Sequence, residues 1–68
     1  MKPVSGKRMC RILEKHGWLL VRIRGSHHAY QSPDQPGTLI VPVHGNDELK
    51  PGTQHAIMRD AGLTEDDL

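Results

Sequence analysis

The sequence predicts an α+β domain in the order α-β-β-β-α, a three-stranded antiparallel sheet with two helices on one face. Three observations predict it. A helical apolar stripe opens the chain. Three short β-rich stretches follow, joined by tight turn signals. A second helical stretch then begins at a proline and ends at a glycine.

Ser5 is a suitable N-cap, because its hydroxyl can accept from a free backbone N–H of the first turn. Met9, Ile12, Leu13 and His16 then fall at i, i+3, i+4 and i+7, and Gly17 closes the helix. His16 lies on the stripe and is expected to be partly buried and hydrogen-bonded. Lys7, Arg8, Arg11 and Lys15 lie off it, so the helix presents a basic face outward. The segment 18–24 (WLLVRIR) reads as the first strand, with Leu19, Val21 and Ile23 on one side and Leu20, Arg22 and Arg24 on the other. Gly25-Ser26 is a turn and His27 to Gln31 a second strand. Residues 32–37 form a loop, and Thr38 to Val43 a third strand with Leu39, Val41 and Val43 facing one way. Pro42 assigns that strand to an edge, or ends its pairing. Pro51 suits the first position of the second helix, in which Thr53, Ile57 and Asp60-Ala61 recur at helical spacing before Gly62. Thr64 followed by Glu65, Asp66 and Asp67 reads as a capped final turn.

The 68 residues make one domain, 1–68, and its core lacks phenylalanine, with Trp18 and Tyr30 the only aromatics. Cys10 is alone, so no internal disulfide forms, as suits a reducing compartment. No stretch has the makings of a signal peptide or approaches the roughly 20 apolar residues of a membrane helix, which predicts a soluble, cytoplasmic protein. The net charge of +1 conceals an asymmetry. Residues 1–24 hold seven Lys and Arg against Glu14, a balance of +6, whereas residues 25–68 hold Lys50 and Arg59 against seven acids, a balance of −5. A positive end of this kind suits phosphates.

The chemistry concentrates in Arg22-Ile-Arg-Gly-Ser-His-His-Ala-Tyr30. A histidine can give or take a proton near neutral pH, as cleavage of RNA by its own 2′-hydroxyl requires. Arginines can hold the phosphate and offset charge on its oxygens, and glycine admits close approach of a nucleic-acid backbone. The candidate RNA-binding residues are Lys7, Arg8, Arg11, Arg22, Arg24, Gly25 and Ser26. His28 follows His27 directly, so in a strand it faces the opposite side. Tyr30, Arg22, Arg24 and His44 are candidate assistants that nothing in the residues ranks. His44 otherwise has a loop role, and His55 belongs to the surface. No pair of the five histidines and Cys10 has zinc-site spacing, so neither metal nor cofactor is expected. A module of the same fold that binds RNA without cutting it remains the alternative.

Taken together and in order, several short motifs resemble the HicA (YcfA-like) toxin family. They are Ser5-Gly6-Lys7, His16-Gly17-Trp18, Arg24-Gly25-Ser26-His27-His28, Val41-Pro42-Val43-His44, Leu49-Lys50-Pro51-Gly52-Thr53, and Ile57 through Ala61-Gly62-Leu63. The resemblance implies a fold like that of a double-stranded RNA-binding domain and metal-independent cleavage of mRNA (an mRNA interferase). It also implies an inhibitory HicB-type antitoxin. The histidine after Gly-Ser occupies the family's catalytic position, so the resemblance assigns that role to His27.

Overall fold

The computed structural model describes residues 1–68, in the order α1 (Gly6–Lys15), β1 (Leu19–Arg24), β2 (His27–Ser32), β3 (Gln35–Pro42) and α2 (Pro51–Ala61), with a closing 3₁₀ turn (Glu65–Asp67). The strands form one antiparallel sheet in the order β1-β2-β3. Tyr30, Leu39 and Val41 from one face of that sheet share a single core with Met9, Ile12 and Leu13 of α1 and Ile57, Met58 and Ala61 of α2. Both helices therefore cover the same face, as expected.

The ends of α1 follow from its sequence. The Ser5 hydroxyl accepts from the Arg8 N–H at 3.0 Å. At the other end Gly17 donates to the Glu14 carbonyl at 3.2 Å and Trp18 to that of Leu13 at 3.0 Å. This pair of bonds is a Schellman ending. His16 is the cap residue, and Gly17 is the first residue beyond it, at φ 89° where a side chain would be strained. His16 is exposed rather than partly buried. Its ring lies across the helix end, with Nδ1 donating to the Ile12 carbonyl at 3.0 Å and Nε2 3.2 Å from an Asp67 carboxylate oxygen. The Thr64 cap expected from the sequence forms, with its N–H 2.7 Å from the Asp67 carboxylate.

Three further expectations are corrected. The strict alternation in β1 breaks, because the register passes from Leu20↔Tyr30 to Arg22↔Ala29 and leaves Val21 as an extra residue. A one-residue bulge moves every later side chain to the other face. Leu20 and Ile23 consequently share the helix-covered face, while Leu19, Arg22 and Arg24 share the uncovered one. The loop 32–37 is shorter than its composition suggests: Ser32 pairs with Gln35 and β3 starts there, so only Pro33 and Asp34 make the turn. The buried stripe of α2 is Gln54, Ile57, Met58 and Ala61, with Thr53 at its margin. Gln54 sits inside because the N-terminal segment supplies its hydrogen bonds. Its side-chain oxygen accepts from the Val4 N–H at 3.1 Å and its nitrogen donates to the Lys2 carbonyl at 2.6 Å. Pro42 lies at the end of an edge strand, as its missing N–H requires.

Candidate nucleic-acid interface

Arg24 and His27 are direct cross-strand partners, joined by the two-residue turn Gly25-Ser26. Gly25 has φ 58° and Ser26 a negative φ, the pattern of a type II′ hairpin turn. Side chains that pair across an antiparallel ladder share a face. His27 and Arg24 therefore stand together on the uncovered face, with Arg22 beside them one row further along, opposite Ala29. All three are exposed.

His28 takes the opposite direction, as its place after His27 predicts. It pairs with Ile23 and Val41 and is half-buried on the helix side. There it lines an open cleft of about 270 Å³ between α1 and the sheet, with Lys7 and Arg11 on the helix and Tyr30 on its floor. The Tyr30 hydroxyl donates to the Glu14 carboxylate at 2.7 Å. Burial, reinforced by hydrogen bonds to Cys10 and Glu14, drives the Tyr30 phenol well above its ordinary range. Burial likewise raises the Cys10 thiol, with Glu14 adding to the effect and the Tyr30 hydroxyl opposing it. Tyr30 is therefore a fixed neutral hydrogen-bond donor with its hydroxyl engaged, on the other side of the sheet from His27.

The candidate residues thus form two groups, one on each face. Arg22, Arg24 and His27 occupy one; Lys7 and Arg11, joined by His28, occupy the other. Arg8 is exposed on α1 outside that cleft. The two groups meet at one end of the molecule. The Val43 N–H donates to the Ser26 carbonyl at 2.7 Å, and Val43 borders the cleft beside Lys7. Gly6, in the first turn of α1, lies so close to the Pro42 carbonyl that a Cβ there would fall 2.1 Å from its oxygen. The helix start, the hairpin turn and the end of β3 are therefore packed together, and the Ser-Gly-Lys, Gly-Ser-His and Val-Pro-Val motifs converge. His44 follows that junction but is exposed beside Asp47, Glu48 and Lys50 at the start of α2. Its carbonyl accepts from the Asp47 N–H at 2.9 Å, a turn role. His55 is exposed on α2.

None of the six basic side chains of α1 and β1 takes part in an ion pair. The pairs in the molecule join the N-terminus to Glu65 and Arg59 to Asp60, and the His16 ring lies against Asp67. Asp67 thus stands at the C-terminal end of α1 and Glu65 against the N-terminus, while Lys7, Arg8, Arg11, Lys15, Arg22 and Arg24 have no acid within ion-pair distance. No three His, Cys, Asp or Glu side chains converge as a metal-binding set, and no helix is long and apolar enough to cross a membrane.

Sequence reasoning passed over the grouping of His28 with Lys7, Arg11 and Tyr30. The signal was present in the alternation of β2, which sets residues 28 and 30 on one side. A search of curated proteins finds no match to the chain. The family model described as the HicA toxin of bacterial toxin–antitoxin systems matches residues 6–63, a span running from the glycine against Pro42 to the leucine after α2. The chain belongs to the HicA toxin family.

Proposed function

We propose that this toxin is a metal-independent endoribonuclease acting on mRNA in the cytoplasm, with His27 as its proton-transfer residue and a HicB-type antitoxin as its inhibitor. The observation that carries the reading is the exposed His27–Arg24 cross-strand pair at the mouth of a glycine turn, with Arg22 on the same face. In the reaction the 2′-oxygen bonds to the adjacent phosphorus and the bond from phosphorus to the 5′-oxygen breaks. The 2′-hydroxyl loses a proton and the departing 5′-oxygen gains one. His27 is the side chain of this face suited to carry that proton, while Arg24 and Arg22 offset the charge gathering on the phosphate oxygens. Gly25 and Ser26 leave the backbone of the turn open to the RNA. Lys7, Arg8 and Arg11 supply further phosphate contacts around the end where α1 meets the hairpin, and these fix position rather than sequence.

The test is expression of wild type and His27→Ala in bacteria, with growth and mRNA integrity followed together, and cleavage by the purified proteins. His27→Ala should lower the cleavage rate by about 10²–10⁴-fold, the usual contribution of a general acid or base. Wild-type cleavage should persist in a chelator, and its upstream product should end in a 2′,3′-cyclic phosphate. A folded His27→Ala protein that cuts at the wild-type rate overturns the assignment. RNA binding by both proteins with no cleavage by either would instead make the chain a binding module.

A further inference from the structure

β1 is an edge strand, bonded only to β2, and all six of its residues are exposed. Four of them are large and apolar: Leu19, Leu20, Val21 and Ile23 are 60, 44, 51 and 55% exposed. An exposed edge that is also apolar is costly in water and a template for pairing with another chain. The charge on this edge selects which chain. Arg22 and Arg24 lie among the apolar residues, neither is in an ion pair, and neither β1 nor its neighbour β2 contains an acid. A second copy laid against β1 would bring four arginines and no carboxylate into one ladder, and like charges in such proximity repel. A strand with carboxylates toward Arg22 and Arg24 and apolar side chains toward Leu20 and Ile23 meets the edge with both faces matched. The register supports this division, because Leu20 and Ile23 stand on the helix side and Leu19, Arg22 and Arg24 on the other.

We infer that β1 is the docking edge for an acidic–apolar β-strand of a different protein, which extends the sheet to four strands. The mode is strand addition: main-chain hydrogen bonds hold the strand, and alternate side chains supply selectivity. The two arginines then have a purpose, since they discourage pairing between copies and leave the edge open to a partner of opposite charge. The inference goes beyond the ribonuclease reading and does not depend on cleavage.

The experiment uses the full isotope-labelled chain without RNA. The probe is a synthetic disulfide-closed β-hairpin whose outer strand alternates glutamate with valine, beside a control hairpin carrying lysine for glutamate. NMR titration and hydrogen exchange should show the glutamate hairpin shifting and protecting the amides of Leu19–Arg24, with the lysine hairpin inert. The Arg22→Glu/Arg24→Glu variant should bind the glutamate hairpin about tenfold more weakly, as loss of two exposed ion pairs warrants, and should gain binding to the lysine hairpin. Undisturbed amides outside β1 establish that this variant is folded. Shifts confined to the Lys7–Arg11 cleft, or no shift at all, overturn the inference. Sedimentation that finds a dimer broken by Ile23→Asp assigns the edge to a second copy instead. Protection of β1 by a single-stranded RNA oligonucleotide, with the hairpin inert, assigns it to RNA.

Discussion

β1 and β3 are both edge strands of the same three-stranded sheet, yet one is wholly exposed and the other holds part of the core. Leu39 and Val41 of β3 are 7 and 0% exposed beneath the two helices, whereas no residue of β1 is buried. The difference teaches that apolar character alone does not locate a core. Both strands are rich in Leu, Ile and Val, but the helices pack toward β3 and leave β1 with only the margin of α1 at Leu20. The buried contacts that hold the domain together therefore lie on the β3 side, and the β1 side is left exposed. A small domain exposes such a strand at some cost to its own stability, and the cost is tolerable where a partner covers it.

Leu39→Ala strains this comparison most. Truncating a buried leucine costs about 2–5 kcal/mol, a large share of the stability of a domain this size, and urea unfolding should register it as a lower midpoint. Gly6→Ala should follow at about 1–3 kcal/mol, because its methyl must displace the Pro42 carbonyl at the end of β3. The same measurement checks it, and an unchanged midpoint would mean that the helix start is not pressed on the strand.

Tyr30→Phe sits between the two regions and should cost about 0.5–1.5 kcal/mol at neutral pH through the lost bond to Glu14. It also changes the alkaline limb. The folded phenol ionises only well above its ordinary value near 10, so the unfolded chain releases that proton first. The stability is fully present below about pH 10 and declines above it. The phenylalanine variant should lose less stability between pH 9.5 and 11 than wild type, roughly in proportion to the phenol removed. Ile23→Ala should have the smallest effect, within about 0.5 kcal/mol, as for most exposed positions. A cost comparable to that of Leu39→Ala would show that β1 carries core after all.

Much of this architecture was legible in local chemistry. Ser5, Gly17, Pro51, Gly62 and Thr64 mark their element ends because caps depend on one side chain or one positive φ. The alternation of β2 sets His27 and His28 on opposite sides. The failures have a common cause in pairing between strands. Val21 has nothing in its composition that announces a bulge, since the extra residue is defined by what lies opposite it. The pairing of Ser32 with Gln35 likewise overrode a run of turn-forming residues. The expected stripe of α2 left out Gln54, because the groups that satisfy it, at Lys2 and Val4, are about fifty positions away in the chain. The unpaired state of the six basic residues was hinted at by the +6 and −5 halves, but their division between two faces emerged only from the register.

That same glutamine gives the domain an order of assembly. Residues 2–4 are tied to α2 through Gln54, and the Leu49 N–H donates to the Val4 carbonyl at 2.9 Å, beside a bridge between Ser5 and Glu48. The beginning of the chain is thus secured by its last third. Contacts of such long sequence separation close late. A chain that stops short of residues 48–58 has α1 and the three strands but nothing to complete the core that supports them. Products truncated before α2 should therefore stay unfolded and open to proteolysis.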